Sequence, residues 1–143
     1  ERINAAGIAP ERIGFEITET AAVSNLAKAT RFIQVLRGMG CQVALDDFGS
    51  GMASFAYLKN LPVDFLKMDG AYVKDIASNS IDLAMVQSIH SIAEAMHIKT
   101  IAEFVESAEV VELLQSIGVH YGQGFHLGRP VPIAQIIDNL RVE

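Results

Sequence analysis

Residues 43–51 read VALDDFGSG. Three apolar positions run directly into two adjacent carboxylates, Asp46 and Asp47, and then into a loop holding Gly49 and Gly51. The apolar run predicts a buried strand over 41–47, and the two glycines predict a mobile loop after it. Two neighbouring like charges repel, and in a low-dielectric site one of them is driven to protonate. A cation must therefore sit between them, or the pair must point into water.

The pattern on either side is regular. RIGFEIT at 12–18 alternates Ile13, Phe15 and Ile17 with Gly14, Glu16 and Thr18, the period of a strand. Residues 25–40 place Leu26, Ile33 and Leu36 at helical spacing and stop at Gly38 and Gly40. The alternation continues with a helix over 53–62, a strand over 63–69, a helix over 80–97 and a strand over 98–103. A helix over 107–118 with Ser107 as N-cap, a strand over 119–124 and a helix over 132–140 complete it. The opening residues, before Gly7, read as the last turn of a helix, and the chain reads as a piece of a longer protein.

Five strands, each followed by a helix, predict an α/β fold with a parallel sheet. No G-x-G-x-x-G follows any strand, which weakens a dinucleotide-binding open sheet. A complete (β/α)₈ barrel needs ~250 residues. Five units in 143 residues correspond to a partial TIM-like barrel with its front strands missing.

Composition narrows the function. Half of the 143 residues are hydrophobic and mean hydropathy is +0.29, so the chain is globular in character. A net charge of −6 argues against a surface for a nucleic acid polymer, which needs clustered Lys and Arg. A single small phosphorylated ligand held through metals is compatible with it. Cys41 is the only cysteine, which fits a reducing compartment, and no apolar run approaches the ~18 residues of a membrane span. The expected location is cytoplasmic, with tethering to a membrane left to upstream domains.

Each predicted strand ends in a polar residue: Glu16, Asp46 with Asp47, Lys67, Glu103 and Gln123. In a barrel these ends ring one mouth. A set rich in carboxylates suits Mg²⁺ or Mn²⁺ rather than zinc. Two such ions ~3.5–4 Å apart would offset the Asp46/Asp47 repulsion and activate water toward a phosphodiester. Lys67 could orient that water or balance charge developing in the transition state. The plainer alternative is helix capping by the aspartates. The four histidines form no close metal pair, and surface or local hydrogen-bonding roles are expected for them, with His126 and Arg129 flanking the expected mouth, where they could touch a base or phosphate or form a surface salt bridge. Tyr57 and Phe55 are expected to pack the helix after the glycine loop and to contribute to a dimer face, the methionines other than Met52 to fill the core, and the final helix, with Ile133, Ile136, Ile137 and Leu140, to dock on the sheet.

These residues resemble a family. FEITET at 15–20, DDFGSG at 46–51, LPVDFLKMD at 61–69, IAEFVE at 101–106 and GQGFHLGRP at 122–130 are similar, in order, to motifs of the EAL-type cyclic di-GMP phosphodiesterases. The resemblance covers essentially the whole chain, as a C-terminal portion (1–143) of such a domain. It implies a (β/α)₈-like barrel that hydrolyses cyclic di-GMP to linear pGpG with two Mg²⁺ or Mn²⁺ ions. By the same resemblance Glu16, Asp46, Asp47 and Glu103 are metal ligands, and Lys67, Glu103, Asp47 and Gln123 are catalytic. Glu19 anchors the glycine loop, and Gln123, Arg129 and Pro130 are candidate substrate contacts. A homodimer or other self-association, and N-terminal sensor or GGDEF domains, are implied partners besides cyclic di-GMP.

Two departures stand out. Phe104 occupies a position where the family usually has Gly, and the Glu-Ala-Leu motif and the Asn of the following strand, both metal ligands, are absent from these 143 residues. The chain by itself is therefore expected to turn over cyclic di-GMP very poorly. A catalytically inactive cyclic di-GMP receptor or protein-interaction domain is the alternative reading, and an unrelated barrel enzyme for another phosphorylated substrate is a third.

Overall fold

The structure, a computed structural model, describes residues 7–49 and 55–140, with side chains described as far as Ile137. The expected helical turn before Gly7, the loop residues Gly51 and Met52, the first two residues of the 53–62 helix and the packing of Leu140 lie outside the described residues. Five strands, β1 (Gly14–Thr18), β2 (Gln42–Phe48), β3 (Phe65–Met68), β4 (Lys99–Ala102) and β5 (Tyr121–Gly122), form one sheet in the order 1-2-3-4-5. Every neighbouring pair is parallel. An open dinucleotide-binding sheet reverses its strand order at a switch point, whereas a barrel advances one strand at a time. The unbroken order is that of a barrel arc.

The two faces of the sheet differ because side chains alternate along a strand. Val43 and Leu45 of β2, Leu66 and Met68 of β3, and Ala102 of β4 point to the helix-covered side and are buried. Against them pack Ile33 and Leu36 of α2 (Leu26–Gly38), Val86, Ile89 and Ala93 of α5 (Ser80–Ala95), and Val110 and Leu114 of α6 (Ala108–Ile117). Each fully buried Val, Leu or Ile stabilises the fold by roughly 1.5–3 kcal/mol relative to exposure. Glu16, Ala44, Phe65 and Ile101 lie on the opposite, concave face, around a shallow cavity.

Helix starts follow capping chemistry. Asn25, Asn79 and Ser107 accept hydrogen bonds from Lys28 N (3.0 Å), Ile81 N (2.9 Å) and Val110 N (3.3 Å). Gly118, at φ 96°, closes α6 in the left-handed conformation that glycine tolerates.

The structure adds elements that the periodicity does not announce. Residues 19–38 form two helices, α1 (Glu19–Ser24) and α2, because Asn25 leaves helical geometry and caps the second. The helix expected at 53–62 ends already at Leu58, its described part being α3 (Phe55–Leu58), and a one-turn helix, α4 (Gly70–Val73), is capped by Asp69. Two expectations are overturned. Ile133, Ile136 and Ile137 of α7 (Ile133–Leu140) are exposed rather than docked on the sheet, since the helix follows β5 at the end of the arc. Met39 and Met85 are exposed too, Met39 at the turn that follows α2 and Met85 on the outer face of α5, while Met68 fills the core. No helix among the described residues is long and apolar enough to cross a membrane.

Two of the histidines join α5 to the sheet. Thr100 N donates to His120 Nδ1 (3.1 Å), which assigns the proton of that ring to Nε2, 3.1 Å from Glu94 Oε1. Buried His90 places Nδ1 2.9 Å from Thr100 Oγ1. Burial favours the neutral His90 ring and lowers its pKa from 6.5, an effect that Glu94 opposes and His120 reinforces. The stability held by the neutral ring is complete above that ordinary value and is lost as pH falls through it toward the folded-state value. Thermal unfolding followed by circular dichroism from about pH 7.5 to about pH 5 is expected to show a falling midpoint, and His90→Gln is expected to flatten that slope. A slope unchanged by the substitution would contradict the assignment.

Candidate active site

The C-terminal ends of all five parallel strands lie along one edge of the sheet, and the predicted site residues gather there. Lys67, near the end of β3, is 4% exposed. Its Nζ stands 2.7 Å from Asp46 Oδ1, 2.9 Å from Glu103 Oε1 and 3.1 Å from Glu16 Oε2. Burial alone would discharge the ammonium, but Asp46, Glu103 and Glu16 outweigh it and hold the pKa above the usual lysine range.

Asp46 and Asp47 share this site because the strand is broken between them and the next ladder pair. Successive side chains of a regular strand point to opposite faces. Here the β2–β3 register shifts between Leu45 and Phe48, and Asp47 adopts φ 55°. The result brings one carboxylate oxygen each from Asp46, Asp47 and Glu103 within 4.8 Å of one another. Glu16 stands outside this trio, joined to it through Lys67.

The charges are not balanced. Burial, then the charges of Asp46 and Asp69, raise the Asp47 pKa. Burial also raises that of Glu103, against the pull of Lys67 and with added push from Asp46 and Asp47. Asp46 Oδ1 is buried and, although close to Lys67 Nζ, lies outside hydrogen-bond geometry with any described group. A buried carboxylate oxygen whose neighbouring charge is the shared Lys67 ammonium, beside two carboxylates whose ionisation is hindered, is an environment a hard divalent cation relieves. The acidic trio can hold a metal.

A second set of contacts fixes the start of the glycine loop. Glu19, 3% exposed, accepts from Gly49 N through Oε2 (2.9 Å) and from the Tyr57 hydroxyl through Oε1. Tyr72 donates its hydroxyl to Gly49 O (2.7 Å). A Cβ at Gly49 would lie 2.7 Å from the Tyr72 ring, and its φ of 102° also demands glycine. Burial and the Glu19 carboxylate raise the Tyr57 pKa, so the hydroxyl stays a donor. Tyr57, expected as packing and as part of a dimer face, and Tyr72, for which the sequence pattern suggests no role, are thus polar clamps. A hydroxyl on an otherwise apolar helix position was the available signal.

The β5 end forms a separate wall. Gln123 N donates to Ala102 O (2.8 Å) and Gln123 O accepts from Val105 N (3.1 Å), while its exposed side chain makes no hydrogen bond with the described residues. Gly124 packs so tightly that a Cβ would come within 2.2 Å of Val105 N. Pro130 lines the cavity beside Gln123, and the Arg129 guanidinium lies 4.7 Å over the Phe125 ring.

With this arrangement of strand ends in view, the family model of the EAL domain is found to match residues 1–130. The chain belongs to the EAL domain family. It is 50% identical over 120 residues to the cyclic di-GMP phosphodiesterase PdeB of Shewanella oneidensis, covering 84% of this chain and 14% of the relative. To the cyclic di-GMP phosphodiesterase PdeF of Escherichia coli it is 41% identical over 126 residues, covering 88% of this chain and 17% of the relative. The chain thus spans about one-sixth of the curated relatives it matches. Among solved structures, the PaMucR phosphodiesterase in complex with c-di-GMP superposes with a TM-score of 0.88 at 34% identity, over 94% of this chain and 54% of that one. The EAL domain of Mycobacterium smegmatis DcpA gives 0.87 at 33% identity, over 94% and 60%. These neighbours give the parallel α/β sheet its place as part of a TIM-barrel-like EAL domain.

Removing the central cation of a buried charge cluster leaves its partners uncompensated, typically at about 3–5 kcal/mol for a fully buried pair. Half-exposed Glu16 reduces that here, so Lys67→Ala is expected to destabilise by about 2 kcal/mol near neutral pH. The loss should shrink at about pH 4, where carboxylates with raised pKa values protonate, and Mn²⁺ should partly restore the unfolding midpoint. Equal loss at both pH values, read by urea denaturation, would refute the charge account.

Proposed function

We propose that the chain is the C-terminal portion, residues 1–143, of an EAL phosphodiesterase domain that hydrolyses cyclic di-GMP to linear pGpG. The observation that carries this reading is the meeting of Lys67 with Glu16, Asp46 and Glu103, from four strand ends, beside the Asp46–Asp47–Glu103 trio. The names of the relatives and of the c-di-GMP complex support the substrate.

In this reading Asp46, Asp47 and Glu103, with Glu16, hold Mg²⁺ or Mn²⁺, two ions in the complete domain. When bound, such ions supply Lewis acidity and lower the pKa of water. The protein's own groups do the rest. Lys67, locked by three carboxylates, directs a proton donor toward water or a phosphoryl oxygen and offsets negative charge gathering there. Glu103, whose raised pKa brings it nearer neutrality, accepts the proton of the attacking water. The water oxygen joins phosphorus, the bond to the 3′ oxygen breaks, and that oxygen takes up a proton. Gln123 orients water or ligand by hydrogen bonding, and Arg129 and Pro130 contact substrate. Glu19, with Tyr57 and Tyr72, keeps the Gly49 end of the loop in place against the acidic edge.

The partners follow from the same reading: N-terminal sensor or GGDEF domains and a homodimer in the full-length protein, and self-association of these 143 residues by themselves, whose β1 and β5 edges no front strand covers.

The full-length protein is expected to convert cyclic di-GMP to pGpG in Mn²⁺ and to stop in EDTA, as read by chromatography of the nucleotides. Glu103→Gln should lower turnover by roughly 100-fold or more. These 143 residues alone, without the Glu-Ala-Leu and Asn ligands, should be nearly inert. Undiminished turnover in EDTA, or by the short chain, would defeat the proposal.

A further inference from the structure

Asp47 and Glu103 reach the acidic trio from the ends of different strands, and the chain that follows each of them runs to the same short helix, α4. After Asp47, Phe48 O accepts from Asp69 N (3.2 Å) and Gly49 O accepts from the Tyr72 hydroxyl (2.7 Å). A Cβ at Gly49 would lie 2.7 Å from the Tyr72 ring, so the loop backbone also rests on that ring. After Glu103, whose N–H donates to Met68 O (3.3 Å), comes Phe104. A Cβ at Gly70 would run into the Phe104 ring, which therefore occupies the space where a side chain at 70 would stand. Asp69 Oδ1 accepts from Ala71 N (2.8 Å) and Asp69 O from Tyr72 N (3.1 Å), so both contacts are made to one hydrogen-bonded turn.

The backbone at these two places does not keep its shape unaided. Asp47 adopts φ 55° and Phe104 φ 52°, a region that residues with a side chain avoid. Such conformations persist only where the surroundings impose them. At Asp47 the imposing contacts lie on the two residues that follow it, and at Phe104 they lie on its own ring. Both sets end on residues 69–72. Lys67 already joins Glu103 to Asp46 through its ammonium. The α4 turn supplies the matching link between Glu103 and Asp47, made of one hydroxyl–carbonyl hydrogen bond and one ring packed on a bare backbone position. Groups that orient metal ligands matter because a small change in ligand spacing is felt directly in affinity.

We infer that α4 is a bracket for the acidic trio, with Tyr72 and Phe104 as positioning residues that hold Asp47 and Glu103 at the separation a divalent ion needs. This rests on the metal-holding role proposed above for these carboxylates. Neither side chain supplies a ligand: Tyr72 acts through Gly49, and Phe104 through the backbone next to Glu103. A bracket with two arms fails when either arm is lost, so a second loss adds little to the first.

The test uses the full-length protein and titration with Mn²⁺, followed by the electron paramagnetic resonance signal of the free ion. Tyr72→Phe, which removes only the hydroxyl, and Phe104→Gly, which removes the ring, should each weaken Mn²⁺ binding by roughly 10-fold. The double variant should lose about as much as the worse single variant, whereas independent effects would multiply to roughly 100-fold. In EDTA the unfolding midpoint of Phe104→Gly should stay level or rise, because glycine relaxes the backbone at 104. Phe104→Tyr, which keeps the ring, should keep the affinity. Native Mn²⁺ affinity in either single variant, or losses that multiply in the double variant, would overturn the bracket. So would an equal loss in Phe104→Tyr, or a Phe104→Gly midpoint that falls in EDTA alongside the affinity. An unmodified protein that binds no Mn²⁺ would overturn the metal role of the trio and this inference with it, whereas Mn²⁺ binding that both single variants leave intact overturns the inference alone.

Discussion

The buried ammonium of Lys67 organises the acidic edge of the sheet. A lysine that is 4% exposed survives charged only because carboxylates from β1, β2 and the end of β4 surround it. The dependence runs both ways, since without it Glu16, Asp46 and Glu103 would repel one another. Parallel pairing across β1–β4 brings these groups to the same edge, and the alternation of side chains turns them to the concave face. The apolar helices on the other face supply the rigidity that holds the charges at fixed separation. Stability is thus concentrated on one side of the sheet and chemistry on the other.

Much of this was legible in the chain. Strand–helix alternation and the five polar strand ends announced a parallel sheet and the edge where its charges gather, because period-2 and helical spacings leave direct marks in sequence. The arc-like strand order, and the absence of a switch point, could only be read once the strands were paired. The trio of Asp46, Asp47 and Glu103 was only half legible: adjacent strand residues should diverge, and the register shift with Asp47 at φ 55° that reunites them depends on β3. Tyr72 escaped notice because its partner is a backbone carbonyl 23 residues away, which no local pattern encodes. The exposed face of α7 misled for the opposite reason: an amphipathic pattern states that a face is apolar, not what covers it.

The glycine loop illustrates how a short motif draws on distant residues. Gly49 has its N–H held by Glu19 and its carbonyl held by Tyr72, so both backbone polar groups are claimed before the loop departs. Tyr57 in turn occupies the other oxygen of Glu19, leaving that buried carboxylate with a donor on each side. The entry to the loop is therefore set from α1, α3 and α4 together, and it lies two residues beyond Asp47.

The contact between Phe104 and Gly70 carries an evolutionary corollary. While the ring keeps this position, the Cβ of any larger residue at 70 would come within 2.3 Å of it, so one of the two must shift. With glycine at 104, position 70 would be open to a side chain, and a side chain there would meet a ring placed at 104 in this conformation. The two positions form a ratchet, in which the order of mutational steps, and not only their sum, decides which sequences a lineage can reach.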